Sequence, residues 1–307
     1  MHYSLTRATS WNLGGYVYLL VASLIATPIL VHSLGLSQFG QYSVIVGTLA
    51  LVSSFDLGLP QAVVRQLAKN TLTFPKRQTI WATSSILFIL SGLLAGLAAV
   101  IPTYLMHLPA GLLIVVFALG LIHNLVAHYQ TLPQAEGHFG YFNAKTFIVG
   151  TGNTLLAAYL SWIGQGLTII LSAQLACYFL TLLVLAYFSL KYFPHPRAGR
   201  PTLQAAKPLV AFGLKNQVGK VVGQVQSQYA KYLLAASSPL MLSAYVIAQG
   251  LVMAAAGGIS QLATALYPAA ARGGHSLRTL YHSLQIGLFF VGLLGVGSYY
   301  LIGLPFL

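Results

Sequence analysis

Acid is almost missing from this chain. Among 307 residues there are two carboxylates, Asp56 and Glu136, and charged residues of either sign make up 6% of the sequence. A soluble domain carries about 25%. So little charge cannot coat a water-facing surface of this size, which excludes soluble enzymes, secreted domains and disordered tails. A single cysteine, Cys177, excludes an intrachain disulfide and a multi-cysteine metal centre. Set in an apolar run, it reads as a small packing residue. No phosphate-cradling glycine loop, nucleophile elbow or zinc spacing occurs. His123 and His128 are five apart, not the four that would aim both at one metal. The scattered histidines therefore read as structural or interfacial groups, and no metal or cofactor is expected.

What the chain does have is apolar sequence: 57% of it is hydrophobic, with a mean hydropathy of +0.78, which places it in a bilayer. A bilayer core takes about 20 apolar residues per helix, and this ruler predicts about nine spans, at 11–33, 39–60, 79–101, 109–130, 145–163, 166–190, 208–235, 239–266 and 280–304. Their unbroken apolar runs are unlike the alternating ten-residue segments of a membrane barrel. The expected fold class is an all-α polytopic membrane protein. The first span is too long for a signal-peptide core and reads as uncleaved.

The net charge of +13 would suit nucleic acid, but its distribution points elsewhere. Twelve of the 15 cations fall at the N-terminus or in alternate connections: Arg7, Arg65, Lys69, Lys76, Arg77, Lys145, Lys191, Arg197, Arg200, Lys207, Arg272 and Arg278. The opposite connections, near 34–38, 102–108, 164–165 and 236–238, hold no Lys or Arg. Basic residues mark cytoplasmic loops, so the N-terminus is expected inside and no nucleic-acid partner is expected.

Sliding the sequence on itself by one fixed offset lays Tyr42 over Tyr245, Gly47 over Gly250 and Lys69 over Arg272. Spans one to three then overlie spans seven to nine in the same orientation, as in transporters built from repeats. The N-terminal segment is also distinctive. Pro28-Ile29-Leu30, Leu34-Gly35, Phe39-Gly40-Gln41-Tyr42, Asp56-Leu57-Gly58-Leu59 and Arg65-Gln66-Leu67-Ala68 follow in that order. This stretch, roughly residues 8–70, resembles the opening of the polysaccharide-biosynthesis and O-antigen flippases. These belong to the multidrug/oligosaccharidyl-lipid/polysaccharide (MOP) exporter superfamily.

The resemblance implies two six-helix lobes around a central cavity. It also implies passage of an undecaprenyl-pyrophosphate-linked oligosaccharide across a bacterial inner membrane for surface polysaccharide assembly. Membrane lipids, a polysaccharide polymerase and chain-length machinery are the partners it implies. On this pattern residues 1–193 are an N-terminal six-helix lobe, 194–207 a basic cytoplasmic linker and 208–307 a partial second lobe of three helices. Two complete lobes would need three further spans.

Three lysines, Lys215, Lys220 and Lys231, fall in or beside span seven. Ionisable residues inside a membrane are costly and face a wet cavity or a partner. On a helical wheel Asn216, Gln217, Gln224, Ser227 and Lys231 all lie within roughly 60° of Lys220, whereas Lys215 points away. Such a stripe suits an anionic, hydroxyl-rich ligand, its ammonium groups meeting the pyrophosphate and its amides the sugar hydroxyls. The same stripe is also what an amphipathic surface helix or an interlobe contact would show. Asp56 reads either as an ion-coupling carboxylate or as a local cap in the Asp-Leu-Gly-Leu-Pro break. Arg65 reads either as a phosphate contact at the inner mouth or as a topology marker. The pairs Asn12/Tyr16 and Tyr245/Gln249, each one turn apart, could offer hydrogen bonds to a cavity.

The leading functional reading is a flippase. A toxin-extrusion exporter would want intramembrane carboxylates, which are scarce here, and a non-transporting remnant is the reading that the length alone suggests. A membrane glycosyltransferase would need outward-facing acids for metal or general-base chemistry, and the expected outer connections contain none.

Overall fold

The structure is a computed structural model that describes residues 5–53, 56–69, 73–105, 109–192 and 199–237, together with Met241, Leu242, Tyr245, Val246 and Gln249. The rest of expected span eight, and all of span nine with Arg272 and Arg278, lie outside the described residues. Among the described residues there is helix and no strand.

Spans one and two form one element. Helix α1 runs over Leu5–Ser53, 49 residues interrupted only at Gly35, whose backbone (φ 72°, ψ 162°) leaves the helical region. At 1.5 Å per residue it is about 70 Å long, more than twice a hydrocarbon core of about 30 Å, so Gly35 divides two crossings. The connection expected at 34–38 is this break and not a loop. Helix α2, Leu59–Leu67, is short and amphipathic, burying Leu59, Ala62, Val63, Val64 and Leu67 while Arg65 and Lys69 stay exposed. Helix α3 (Phe74–Leu105) and helix α4 (Ala110–Glu136) follow as long apolar rods.

Expected span five is built from pieces: α5 (Phe139–Phe142), α6 (Ala144–Thr151), a π-helical turn at Gly152–Leu156 and α7 (Ala157–Trp162). From α6 to α7 it covers roughly 28 Å, enough to cross. Helix α8 (Leu167–Tyr192) completes this group, and α9 (Leu203–Ser237) is expected span seven.

Helices α3 and α4 share the largest contact, followed by α4 with α8. Small residues make the first contact possible. A Cβ on Gly96 would lie 2.7 Å from the Phe117 carbonyl oxygen, and one on Gly120 would lie 2.8 Å from the Gly96 Cα. Two apolar clusters are stacked along the bundle. One joins Leu30, Phe39 and Ile45 of α1 to Ala95, Leu112, Val116 and Ile170. The other joins α2 to Trp81, Phe88, Leu132 and Leu209.

The outward faces are as apolar as the core: Leu90, Leu94, Leu97 and Ile101 form an exposed ridge on α3, and Leu180, Leu183 and Tyr187 one on α8. Exposed Tyr104 and Trp162 sit near helix ends, where interfacial aromatics belong. A surface of this kind is built for lipid. The chain is an all-α, multi-pass membrane protein. At the end of the bundle opposite Tyr104 and Trp162, Arg77 donates to Glu136, so one of the two acids closes an ion pair between α3 and α4.

Candidate functional site

Helix α9 brings polar groups into this apolar bundle and lays them against α1 and α2. Its Leu209 is buried in the second apolar cluster, and one turn on, Gly213 meets the turn before α2 backbone to backbone. A Cβ on Gly213 would overlap the Leu57 carbonyl oxygen and lie 3.2 Å from the Gly58 carbonyl carbon. That turn is itself left-handed, with Leu57 at φ 53° and Gly58 at φ 64°. Asp56 Oδ1 accepts the Gly58 N–H at 2.9 Å and so fixes the turn. The buried carboxylate is thus engaged in local backbone structure.

Gln217 follows one turn further along α9, 6% exposed, and neither its Oε1 nor its Nε2 has a hydrogen-bond partner. Deeper along the same seam Gln228, 7% exposed, faces α1 at Gly47. A Cβ on Gly47 would lie 2.6 Å from Gln228 Oε1 and 3.7 Å from Lys231 Cδ. The missing side chain is what admits the amide and the lysine stem. Thr48, next in sequence, donates its hydroxyl to the Val44 carbonyl at 2.8 Å and accepts the Tyr232 hydroxyl at 2.8 Å. The seam therefore holds Gln217, Gln228, Lys231 and Tyr232 of α9 against Gly47 and Thr48 of α1.

Of the residues expected on the stripe, Gln217 is buried, and Gln224 and Lys231 are half-buried. The side chains of Asn216, Lys220 and Ser227 lie outside the described residues, although all three positions are helical. Arg65 is exposed on α2, its guanidinium 4.4 Å above the Phe212 ring of α9, one turn before Asn216. Close by, a cavity of about 380 Å³ lies between α2, α3 and the first turns of α9, lined by Gln66, Lys76, Thr79 and Gln204 among others. The described His, Cys, Asp and Glu residues form no cluster able to hold a metal ion.

A second polar group, inside the α1–α8 bundle, was not expected. Lys145, assigned above to a loop, is on α6, and its Nζ reaches His123 Nε2 on α4 at 3.4 Å. His123 Nδ1 contacts the Tyr178 hydroxyl of α8 at 3.1 Å, and Tyr178 hydrogen-bonds the Asn153 side chain in the π turn. The Asn153 carbonyl accepts the Tyr42 hydroxyl of α1 at 3.1 Å, and Gln174 Nε2 donates to Tyr42 at 2.8 Å. His128 turns the other way, stacked on Trp81 at 3.9 Å and bonded to Ser85 at 2.9 Å. Asn12 accepts Asn143 Nδ2 at 2.8 Å, which ties α1 to the start of span five. Tyr16 has a buried hydroxyl without a hydrogen-bond partner. Cys177 packs against Gly152 of the π turn.

Residues 5–273 match the family described as polysaccharide biosynthesis protein. The chain belongs to that family. None of the curated proteins searched matches it. Among solved structures, a MOP superfamily transporter from Pyrococcus furiosus superposes with a TM-score of 0.64 at 15% identity, over 96% of this chain and 71% of that one. At this identity the likeness is one of fold: this member of the polysaccharide biosynthesis family has a MOP-transporter architecture. In that family setting the α1–α9 seam is the candidate site. The order of residues 28–68 was the signal that could be read from sequence, whereas the Lys145–His123 contact depends on how α4 and α6 each pack against α8.

Proposed function

We propose that the protein moves an anionic, lipid-linked oligosaccharide from one leaflet to the other, with undecaprenyl pyrophosphate as the carrier. The membrane is a bacterial inner membrane, the N-terminus is cytoplasmic and the product serves O-antigen or another surface polysaccharide. Residues 1–193 act as the N-terminal lobe, 194–207 as a cytoplasmic linker and 208–307 as the second-lobe segment.

The observation that carries this reading is Gln217: an amide buried in the seam with both polar atoms unpaired. A buried polar group without a partner costs about 1–3 kcal/mol. The cost is relieved when the seam opens and the amide meets sugar hydroxyls or water. Lys231, half-buried beside Gly47, supplies positive charge on the same face, and Lys220 falls between the two on the stripe. Arg65 and the cavity beside Lys76 lie where α9 begins, at the basic end, where a pyrophosphate would enter. The headgroup then follows Gln217, Lys220, Gln224 and Lys231, with Asn216 and Ser227 flanking, while its lipid tail stays in the bilayer and the lobes rock. Asp56 holds the turn that docks α2 on α9 and is not needed as an ion-coupling group. Polymerase and chain-length machinery take over the product.

The test is transfer of a fluorescently labelled undecaprenyl-pyrophosphate oligosaccharide in proteoliposomes. Replacing Lys220 and Lys231 together by Ala is expected to slow it at least about tenfold, equal to about 1.4 kcal/mol of lost interaction. Transfer at the wild-type rate by that double variant, correctly inserted, would overturn the headgroup track.

A further inference from the structure

The geometry points to the Lys145–His123 pair as a proton-binding site that couples transport to a proton gradient. Its coupling role rests on the flippase reading; its proton chemistry does not. A lysine ammonium can only donate, so across 3.4 Å the His123 Nε2 is the acceptor and the imidazole hydrogen is on Nδ1. From there it is donated to the Tyr178 oxygen at 3.1 Å. Tyr178 also hydrogen-bonds the Asn153 side chain, and the Asn153 carbonyl accepts the Tyr42 hydroxyl. These two ring contacts assign a neutral imidazole beside a charged lysine.

Adding one proton breaks this arrangement. The new N–H bond forms at Nε2, His123 no longer accepts from Lys145, and two cations face each other at contact distance. The pair therefore separates when the proton arrives from water and closes when that N–H bond breaks and the proton leaves to water. The two residues are on different helices, α6 and α4, so proton binding becomes a displacement of one helix against the other.

Two features transmit it. α6 leads into the π turn at Gly152–Leu156, a local widening of the helix of the kind found at functional sites, and Asn153 in that turn holds Tyr42. Tyr42 is on the second half of α1, little more than one turn before Gly47 and Thr48. These last two carry the α9 seam, with Gln228, Lys231 and Tyr232 against them. One helix thus links the proton site to the proposed headgroup track.

Among the described residues, Lys145 from α6 and Tyr178 from α8 are titratable groups in contact with the His123 ring, with Tyr42 of α1 reached through Asn153. Among the other elements packed on α4, α3 places Lys76 and Arg77 at its first turn, Arg77 on Glu136. α2 places Arg65 over Phe212, and α5 places Tyr141 on Phe188.

The test has two arms on the full-length protein. In lipid nanodiscs, ¹⁵N-histidine NMR of the wild type is expected to show one neutral, Nδ1-protonated imidazole that becomes imidazolium as the pH is lowered from about 8 to about 5. His123→Gln removes that resonance. Lys145→Gln moves the conversion by at least about tenfold in proton concentration, or one pH unit. In proteoliposomes, a pH difference is expected to accelerate wild-type transfer of the labelled lipid-linked oligosaccharide severalfold. His123→Gln and Lys145→Gln keep the rate seen without a pH difference but lose the acceleration, and Lys145→Arg restores it. A His123 signal that never converts, or converts identically in Lys145→Gln, overturns the proton site. Undiminished acceleration in both variants overturns the coupling. If the wild type transfers nothing at all, the flippase reading fails and the NMR arm still decides the proton site. If His123→Gln does not fold, Lys145→Gln carries both arms.

Discussion

Replacing Gln217 by Met should move stability and transport in opposite directions. Gln217 is 6% exposed and both atoms of its amide are unpaired, so the native seam carries an unmet hydrogen-bonding cost of about 1–3 kcal/mol. An apolar bilayer, which offers no solvent to satisfy the group, gives no relief. Methionine keeps the unbranched length and a similar helix propensity, and volume-conserving swaps of this kind cost less than about 1.5 kcal/mol. The expected net effect is a gain of about 1–2 kcal/mol, or about 2–4 °C in thermal midpoint for each kcal/mol. Transport should fall for two additive reasons. The amide no longer meets substrate hydroxyls, a loss of about 0.5–1.5 kcal/mol, and the closed seam is harder to open by the amount gained in stability. Together these predict a slowing of about tenfold or more. Thermal unfolding followed by intrinsic fluorescence in detergent measures the first quantity, and labelled-substrate transfer in proteoliposomes the second. A midpoint that falls, or a stabilised variant that transfers at the wild-type rate, would refute the assignment of Gln217 as a group waiting for a ligand.

Three further outcomes are expected. Gly213→Val places methyl groups against the backbone of Leu57 and Gly58, which cannot yield as a side chain can, and should destabilise the protein by about 1–3 kcal/mol. Thermal unfolding checks this, and the deeper contact between Thr48 and Tyr232 should survive as a crosslink between cysteines placed there. In a Cys177→Ala background, single cysteines at Lys76 and at Trp162 should react with a membrane-impermeant thiol reagent from opposite faces, Lys76 from the cytoplasmic one. Labelling of both from the same face would overturn the proposed topology.

The parts of this molecule that were legible in sequence are those governed by transfer from water to lipid. Apolar runs marked α3, α4 and α8 to within a few residues, because partition depends on composition along one helix. The α9 stripe was legible for the same reason: at 100° per residue its polar positions fall on one face whatever packs against it. What packs against it was not legible. That Gly47 admits Gln228, and that Gly213 docks on the turn fixed by Asp56, follow from two helices approaching closely enough for backbones to touch. Sequence records only that a glycine is present.

Lys145 shows most clearly where one-dimensional reasoning stops. By position it is a cation at a span's beginning, and positive-inside counting assigns it to a loop. Its long, flexible side chain can take its charge several ångströms from its own backbone, and the packing of α6 and α4 against α8 decides whether that reach ends in water or at an imidazole. The π turn in the same span is equally silent, because Gly-Asn-Thr-Leu-Leu is compatible with an ordinary α-helix. Its effect is to bring the Asn153 carbonyl to Tyr42. Both hidden features involve a polar atom meeting its partner between helices, where a kilocalorie depends on an ångström, whereas the legible ones involve apolar area, which tolerates displacement. The Lys145–His123 contact, which hydropathy cannot register, is therefore the place where experiment will discriminate best between a bundle that merely spans the membrane and one that responds to protons.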